Sequence, residues 1–109
     1  MSVASDLKTL LLTLGYPVEQ NRYTGTATTY ITFNYTTSPE NFADDDPLDE
    51  VYLIQVHLIA PSTLNTTVLQ KSIKTLLMNA GYIYPSTTDA SDDPEEQHLV
   101  FETETAVGV

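Results

Sequence analysis

Residues 50–60 read EVYLIQVHLIA, and they are apolar on both parities. Tyr52, Ile54, Val56 and Leu58 form one face of a strand. Val51, Leu53, Gln55, His57 and Ile59 form the other. The second face is too apolar for ordinary exposure, so another element or another subunit is expected to cover it. A chain with this segment must build a sheet around it.

Residues 28–36 supply a partner strand. Ile31, Phe33 and Tyr35 alternate with Thr32, Asn34 and Thr36, a pattern of β-branched and aromatic residues that fits a half-buried strand. Residues 97–104, centred on Leu99, Val100 and Phe101, predict the last strand, with 105–109 frayed. Tyr82-Ile83-Tyr84, stopped by Pro85, reads as a short strand, and 86–96 as a polar loop without periodicity.

Two helices are expected. Leu7, Leu10, Leu11 and Leu14 follow helical spacing over residues 6–14, with Ser5 as cap and Asp6 at the positive end. Leu69, Ile73, Leu76, Leu77 and Ala80 make the apolar stripe of a second helix, 66–80, capped by Asn65. Gly15 and Gly81 close the two helices, and Pro17 prevents the first from resuming. LKTLL with GY recurs as IKTLL with GY at the same spacing. Two helices that need the same ending explain this better than a duplicated unit, because the following segments do not match.

Element order therefore predicts one α+β domain over residues 1–109: a mostly antiparallel sheet of three to four strands, with two helices packed on one face. The connection from Tyr35 to Glu50 is long for a tight hairpin and is expected to project as an arm or flap.

Charge is distributed unevenly. Of 15 acidic residues, six lie in 40–50 and five in 89–96, without a base in either stretch. Asp6, Glu19, Glu102 and Glu104 are matched in number by Lys8, Arg22, Lys71 and Lys74, so the body is neutral and the formal charge of −11 sits in two segments. Such a chain repels phosphate backbones, which disfavours nucleic-acid binding. There is no Cys, which excludes disulfides, thiolate metal sites and Cys nucleophiles. No apolar run approaches the roughly 20 residues that cross a bilayer, and residues 1–14 lack signal-peptide character. A cytoplasmic origin is expected.

The segments that suggest chemistry favour plainer readings. Asp44, Asp46 and Glu50 offer carboxylates for a hard cation, but the turn lacks glycine and Pro47 constrains it. Asp89, Asp92, Asp93, Glu95 and Glu96 match no calcium loop. Consecutive aspartates beside a proline are expected to be exposed and ionised, unsuited to paired acid–base work. His57 and His98, the two histidines, could share zinc with a carboxylate, but a polar strand position or a subunit contact is the simpler expectation. No nucleophile elbow or glycine-rich phosphate loop is present. Two Asn-X-Thr sequences, at Asn34 and Asn65, read as chance in a Thr-rich chain. Seven tyrosines suit interfaces, but no basic groove accompanies them for base stacking. No catalytic residue, cofactor or metal is expected.

TYITFNY, then SPENFADDDPLDEVYLIQVHLIAPS, a helix ending LLMNAGY, an acidic stretch and HLVFETE follow in order. This pattern resembles the small tail-completion proteins of long-tailed bacteriophages and prophages, also called tail terminators or tail-to-head joining proteins. Residues 30–60 carry most of the likeness, which extends loosely over 7–101. Family members usually carry more Lys and Arg in the second helix, so this chain departs from them in charge. The resemblance implies a non-enzymatic virion component of the tail or neck, assembled in a bacterial host. It also implies rings, commonly of six, that contact tail tube and head-connector proteins while DNA passes without specific binding.

Contact residues expected from this reading are Phe42, Asp44, Asp45 and Asp46 on the arm. On the strand they are Val51, Leu53, Gln55, His57 and Ile59. Alternatives are a head-closure connector, an acidic DNA-mimic decoy for a basic nucleic-acid enzyme, and a small metal-assisted hydrolase. A decoy would spread carboxylates over one surface, whereas these cluster in two segments.

Overall fold

The computed structural model describes residues 3–43 and 46–108, with the backbone alone over 38–43, 46–50 and 106–108. Helix α1 (Val3–Leu12) is followed by strands β1 (Val18–Gln20), β2 (Tyr30–Ala43) and β3 (Asp46–Pro61). Helix α2 (Thr67–Asn79), β4 (Ser86–Asp89) and β5 (Glu96–Gly108) complete the chain. The fold is α+β. The five strands form one sheet in the order β1-β2-β3-β5-β4, with β1 parallel to β2 and the other pairs antiparallel.

Both helices cover one face. Leu7 and Leu11 of α1 and Ile73 and Leu77 of α2 are fully buried against Ile31, Phe33, Ile54, Val56, Leu58 and Phe101. Burying each such side chain contributes about 1.5–3 kcal/mol. The even-numbered residues of β3 thus face the helices, as their alternation predicts. Leu10, Leu14, Leu69 and Leu76 pack around this core from its margin, whereas Ala80 is exposed.

The helix ends follow local chemistry. Gly81 has φ +100°, with Gly81 N–H donating to Met78 O and Tyr82 N–H to Leu77 O, each at 3.1 Å. This left-handed closure returns the chain so that Tyr82 packs on the core. Gly15 at φ +89° closes α1 and delivers Tyr16 in the same way, which explains the repeated sequence. The first helix begins earlier than expected, so Ser5 lies inside α1 rather than at its cap. Asn65 Oδ1 accepts from Thr67 N–H at 3.0 Å, while Thr66 occupies the cap position of α2.

Four features differ from the sequence expectation. The 35–50 connection is ladder rather than flap: β2 and β3 pair out to Ala43 opposite Asp46. Residues 105–108 are not frayed, for β5 runs to Gly108 opposite Asp49. The long ribbon gives the molecule extents of 54 × 25 × 24 Å. A strand forms at Ser86–Asp89, inside the expected loop, whereas 82–85 only run beside β5, where Ile83 N–H donates to Glu104 O. All four β4 side chains are exposed, so no apolar periodicity announces it. β1 has three residues and one buried side chain, Val18, too little to register as a pattern.

Pro39 fits the ribbon because of its parity. Ile31 N–H and the Phe33 carbonyl turn away from β3, bonding Pro17 O and Asn21 N. The same parity puts the Pro39 nitrogen on the open edge beyond β1, where a missing N–H costs the ladder nothing.

Candidate assembly face

The face of the sheet turned from the helices is organised in cross-strand rows. Tyr30, Ile59 and His98 form one; Thr32, His57 and Val100 the next; Asn34, Gln55 and Glu102 the third; Thr36, Leu53 and Glu104 the fourth. It carries the odd-numbered β3 residues expected to make contacts.

At the Ile59 end the chain covers itself. The Tyr23 ring stacks on Tyr30 with centroids 4.4 Å apart, and its hydroxyl accepts Ala27 N–H at 3.0 Å. Gly25 passes so close to the Tyr23 ring that no side chain fits there. Ile59 is buried at this end of the face and shares a cavity wall with Tyr23 of the flap formed by residues 21–29, and sequence periodicity did not single Tyr23 out.

His57 Nδ1 lies 2.7 Å from His98 Nε2 in a cavity of about 520 Å³ that also touches Arg22, Tyr30, Gln55 and Glu96. Burial, and then the neighbouring His98, hold His57 below its ordinary pKa, with Glu102 acting the other way. Among the described residues, no group of three or more His, Asp or Glu converges to hold a metal ion.

Past the histidines the face opens. Asn34 Oδ1 is buried without a hydrogen-bond partner. Leu53, in the middle of β3, keeps 45% of its surface exposed. It lines a groove of about 540 Å³ with Ile83 and Tyr84, themselves 57% and 53% exposed, and with Gln55, Glu102 and Glu104. The sequence predicts a short strand for Ile83 and Tyr84, with Tyr84 among the tyrosines suited to interfaces, and their place in this groove follows from the turn at Gly81. A second apolar groove lies on the helical side, lined by Leu14, Val68, Leu76 and Lys71.

The expected contact residues therefore divide. Leu53 is open, Gln55 and His57 are half-buried, and Val51 and Ile59 are already buried within the chain. Phe42 and Asp46 lie on the paired ribbon, opposite Pro47 and Ala43, with their side chains outside the described residues. Asp44 and Asp45 lie outside the described residues altogether. The second acidic segment is exposed throughout. There Asp89 and Asp93 accept the backbone N–H groups of Ser91 and Glu95 in local turns. The Ser91 bonds hold the Asp89 carboxyl below its usual range. No helix among the described residues is long and apolar enough to cross a membrane.

No protein-family model matches the sequence, and no curated protein is similar to it. Nine solved chains match the structure. One aligns with a TM-score of 0.60 over 93% of this chain and 88% of its own length, at 11% identity. A likeness at that identity concerns the α+β fold alone.

Proposed function

We propose that the chain is a structural subunit that assembles with copies of itself into a ring, as tail-terminator and tail-to-head joining proteins of long-tailed phages do. The observation that carries this reading is Leu53, a half-exposed leucine at the centre of a central strand. Its groove with Ile83 and Tyr84 has no covering element among the described residues. An apolar patch in such a place marks a contact surface. A second copy is the occupant that fits, because the patch is apolar at Leu53, Ile83 and Tyr84, with Glu102 and Glu104 in its lining, while 11 of the 15 acidic residues sit apart from it in 40–50 and 89–96.

The acidic segments have a role in a ring of this kind. A duplex that must slide through a channel benefits from a negative lining, which repels phosphate weakly along its length. The same charge opposes association at low salt. In the assembled virion the ring would join tail tube to head connector, with no catalytic step and no cofactor.

Electron microscopy of concentrated protein, with sedimentation across a salt series, tests the reading. Annular particles that become more abundant as salt screens the acids are expected. A monomer at every concentration and salt overturns it. Stable binding to a basic nucleic-acid enzyme by that monomer would favour the decoy instead.

A further inference from the structure

The chain has two histidines, and the fold joins them. They are 41 residues apart in sequence. His57 stands opposite Val100 and His98 opposite Ile59, so the rings meet on the diagonal between β3 and β5. Their centroids are 5.0 Å apart and their planes 41° inclined. A contact of 2.7 Å between Nδ1 and Nε2 requires one nitrogen to donate and the other to be bare. Two imidazolium rings carry a proton on every nitrogen and cannot make it. The contact thus survives the first added proton and breaks on the second.

The surroundings come from several elements. Glu96 and Glu102 on β5 and Arg22, Tyr23 and Tyr30 on the flap side face the pair or its cavity. Asp89 on β4 feels the charge of His98. Gln55 and Asn34 line both this cavity and the groove around Leu53, so the pair and the open patch belong to one continuous face.

We propose that the His57–His98 pair is a proton gate on self-association: closed, it lets this face be buried against a second copy; doubly protonated, it opens and sets two like charges there. The gate rests on the ring reading above and adds its regulation.

Its sign is distinctive. Histidine is the one side chain whose ordinary pKa lies between about pH 5 and 8. Protons that reach the pair are taken up in mild acid, at His57 below its ordinary value. They reduce the net charge of −11, which by itself relaxes repulsion and favours association. A charge placed on a surface that must be desolvated does the opposite. The gate thus predicts weaker assembly in mild acid, against the trend in net charge.

Sedimentation equilibrium at about pH 7.5 and about pH 5.5, at one ionic strength, reads the effect on the whole chain, on His57→Gln and His98→Gln, and on the double variant. The expected result is an association constant at least about tenfold lower in acid for the native chain. Either single variant keeps one imidazole to take up a charge, so its fall in acid should be smaller than the native one, and only the double variant His57→Gln/His98→Gln should hold the two values within about twofold. Imidazole NMR titration of dilute protein supplies a readout of the pair itself. His98→Gln should raise the His57 midpoint, since the neighbouring ring lowers it. Assembly that is unchanged or stronger in acid overturns the gate and leaves the ring standing. Titration curves indifferent to replacement of the partner histidine also overturn the gate. A chain monomeric at both pH values overturns the ring and the gate together.

Discussion

The hydroxyl of Thr66 donates to Oε1 of Gln97 at 2.8 Å, tying the cap of α2 to the beginning of β5. Gln97 also commits its amide to the segment that leads from β3 into α2. Nε2 donates to the carbonyls of Pro61 and Leu64, both at 2.8 Å, and Gln70 Nε2 returns to Thr66 Oγ1 at 2.9 Å. One side chain therefore sets how the strand β3 turns into α2, and so how the helix layer sits on the sheet. Thr66 is buried, and losing Gln97 leaves its hydroxyl proton without its acceptor and removes a donor from two carbonyls, although Gln70 still bonds Thr66 Oγ1 and Leu64 N–H still bonds Pro61 O. Gln97→Ala should lower unfolding free energy by about 1–2 kcal/mol, and Thr66→Val by about 1 kcal/mol. Urea denaturation checks both, and an unmoved midpoint for Gln97→Ala contradicts the clamp.

Gly25 is needed for closeness rather than for an unusual dihedral. A Cβ there would lie 2.2 Å from the Tyr23 hydroxyl oxygen and 2.4 Å from its ring. That ring is held between the Tyr30 stack and the bond from Ala27, so it cannot step aside without losing both. Gly25→Ala should cost about 1 kcal/mol and uncover Ile59. Tyrosine fluorescence and thermal melting report it. Full retention of the Tyr23–Tyr30 stacking signal would contradict this account.

The same flap shows what the sequence could and could not disclose. The two helices, the three long strands and the inward parity of Ile54, Val56 and Leu58 were legible because each rests on repeated apolar spacing. Tyr23 was not, because its role depends on Tyr30, Gly25 and Ala27 meeting in space. β4 was silent for another reason: an edge strand with four exposed polar side chains is specified by backbone pairing alone. The ribbon beyond Tyr35 was hidden by its charges and prolines, which read as loop although Pro39 sits at an edge position that tolerates it. At the candidate face, Leu53 was recognised from strand parity. The direct bond of His57 to His98 required the register between β3 and β5.

The lowered pKa of His57 has a consequence for stability with a definite sign. In the unfolded chain this histidine titrates near its ordinary value of 6.5, above its folded value. Between those two values the unfolded state holds more protons, so stability rises with pH. The contribution is complete above the unfolded pKa and is lost as pH falls toward the folded one. Urea midpoints measured from about pH 7.5 down to 5 should decline through this window, and His57→Gln should flatten the decline. A slope that the substitution leaves intact would assign the acid sensitivity to other groups.

Asp44, Asp45 and Asp46 offer a separate handle on charge. Changing all three to Asn removes three of the 15 acidic residues and no apolar surface. Folding should persist with a shift within about 0.5 kcal/mol, as for surface substitutions. Self-association should rise at low salt and become less salt-dependent, since less repulsion remains to be screened. Loss of the fold would mean that the acids are bound internally, contrary to their reading as a charged excursion.

Leu53 gives the most direct test of where copies meet. In the isolated chain it lies between Thr36 and Glu104 with nearly half its surface open, so a polar replacement disturbs little of the core. In an assembly that closes over the groove, the same position would be dry, and a carboxylate there would be buried without a partner. Leu53→Glu should therefore lower chain stability by at most about 1 kcal/mol while weakening association at least about tenfold. Val68, 79% exposed on the helical side, supplies the control. Val68→Glu should leave association unchanged if the sheet face is the contact. Should Val68→Glu dissolve the particles and Leu53→Glu spare them, the copies meet through the groove between the helices, and the sheet face is free for something else.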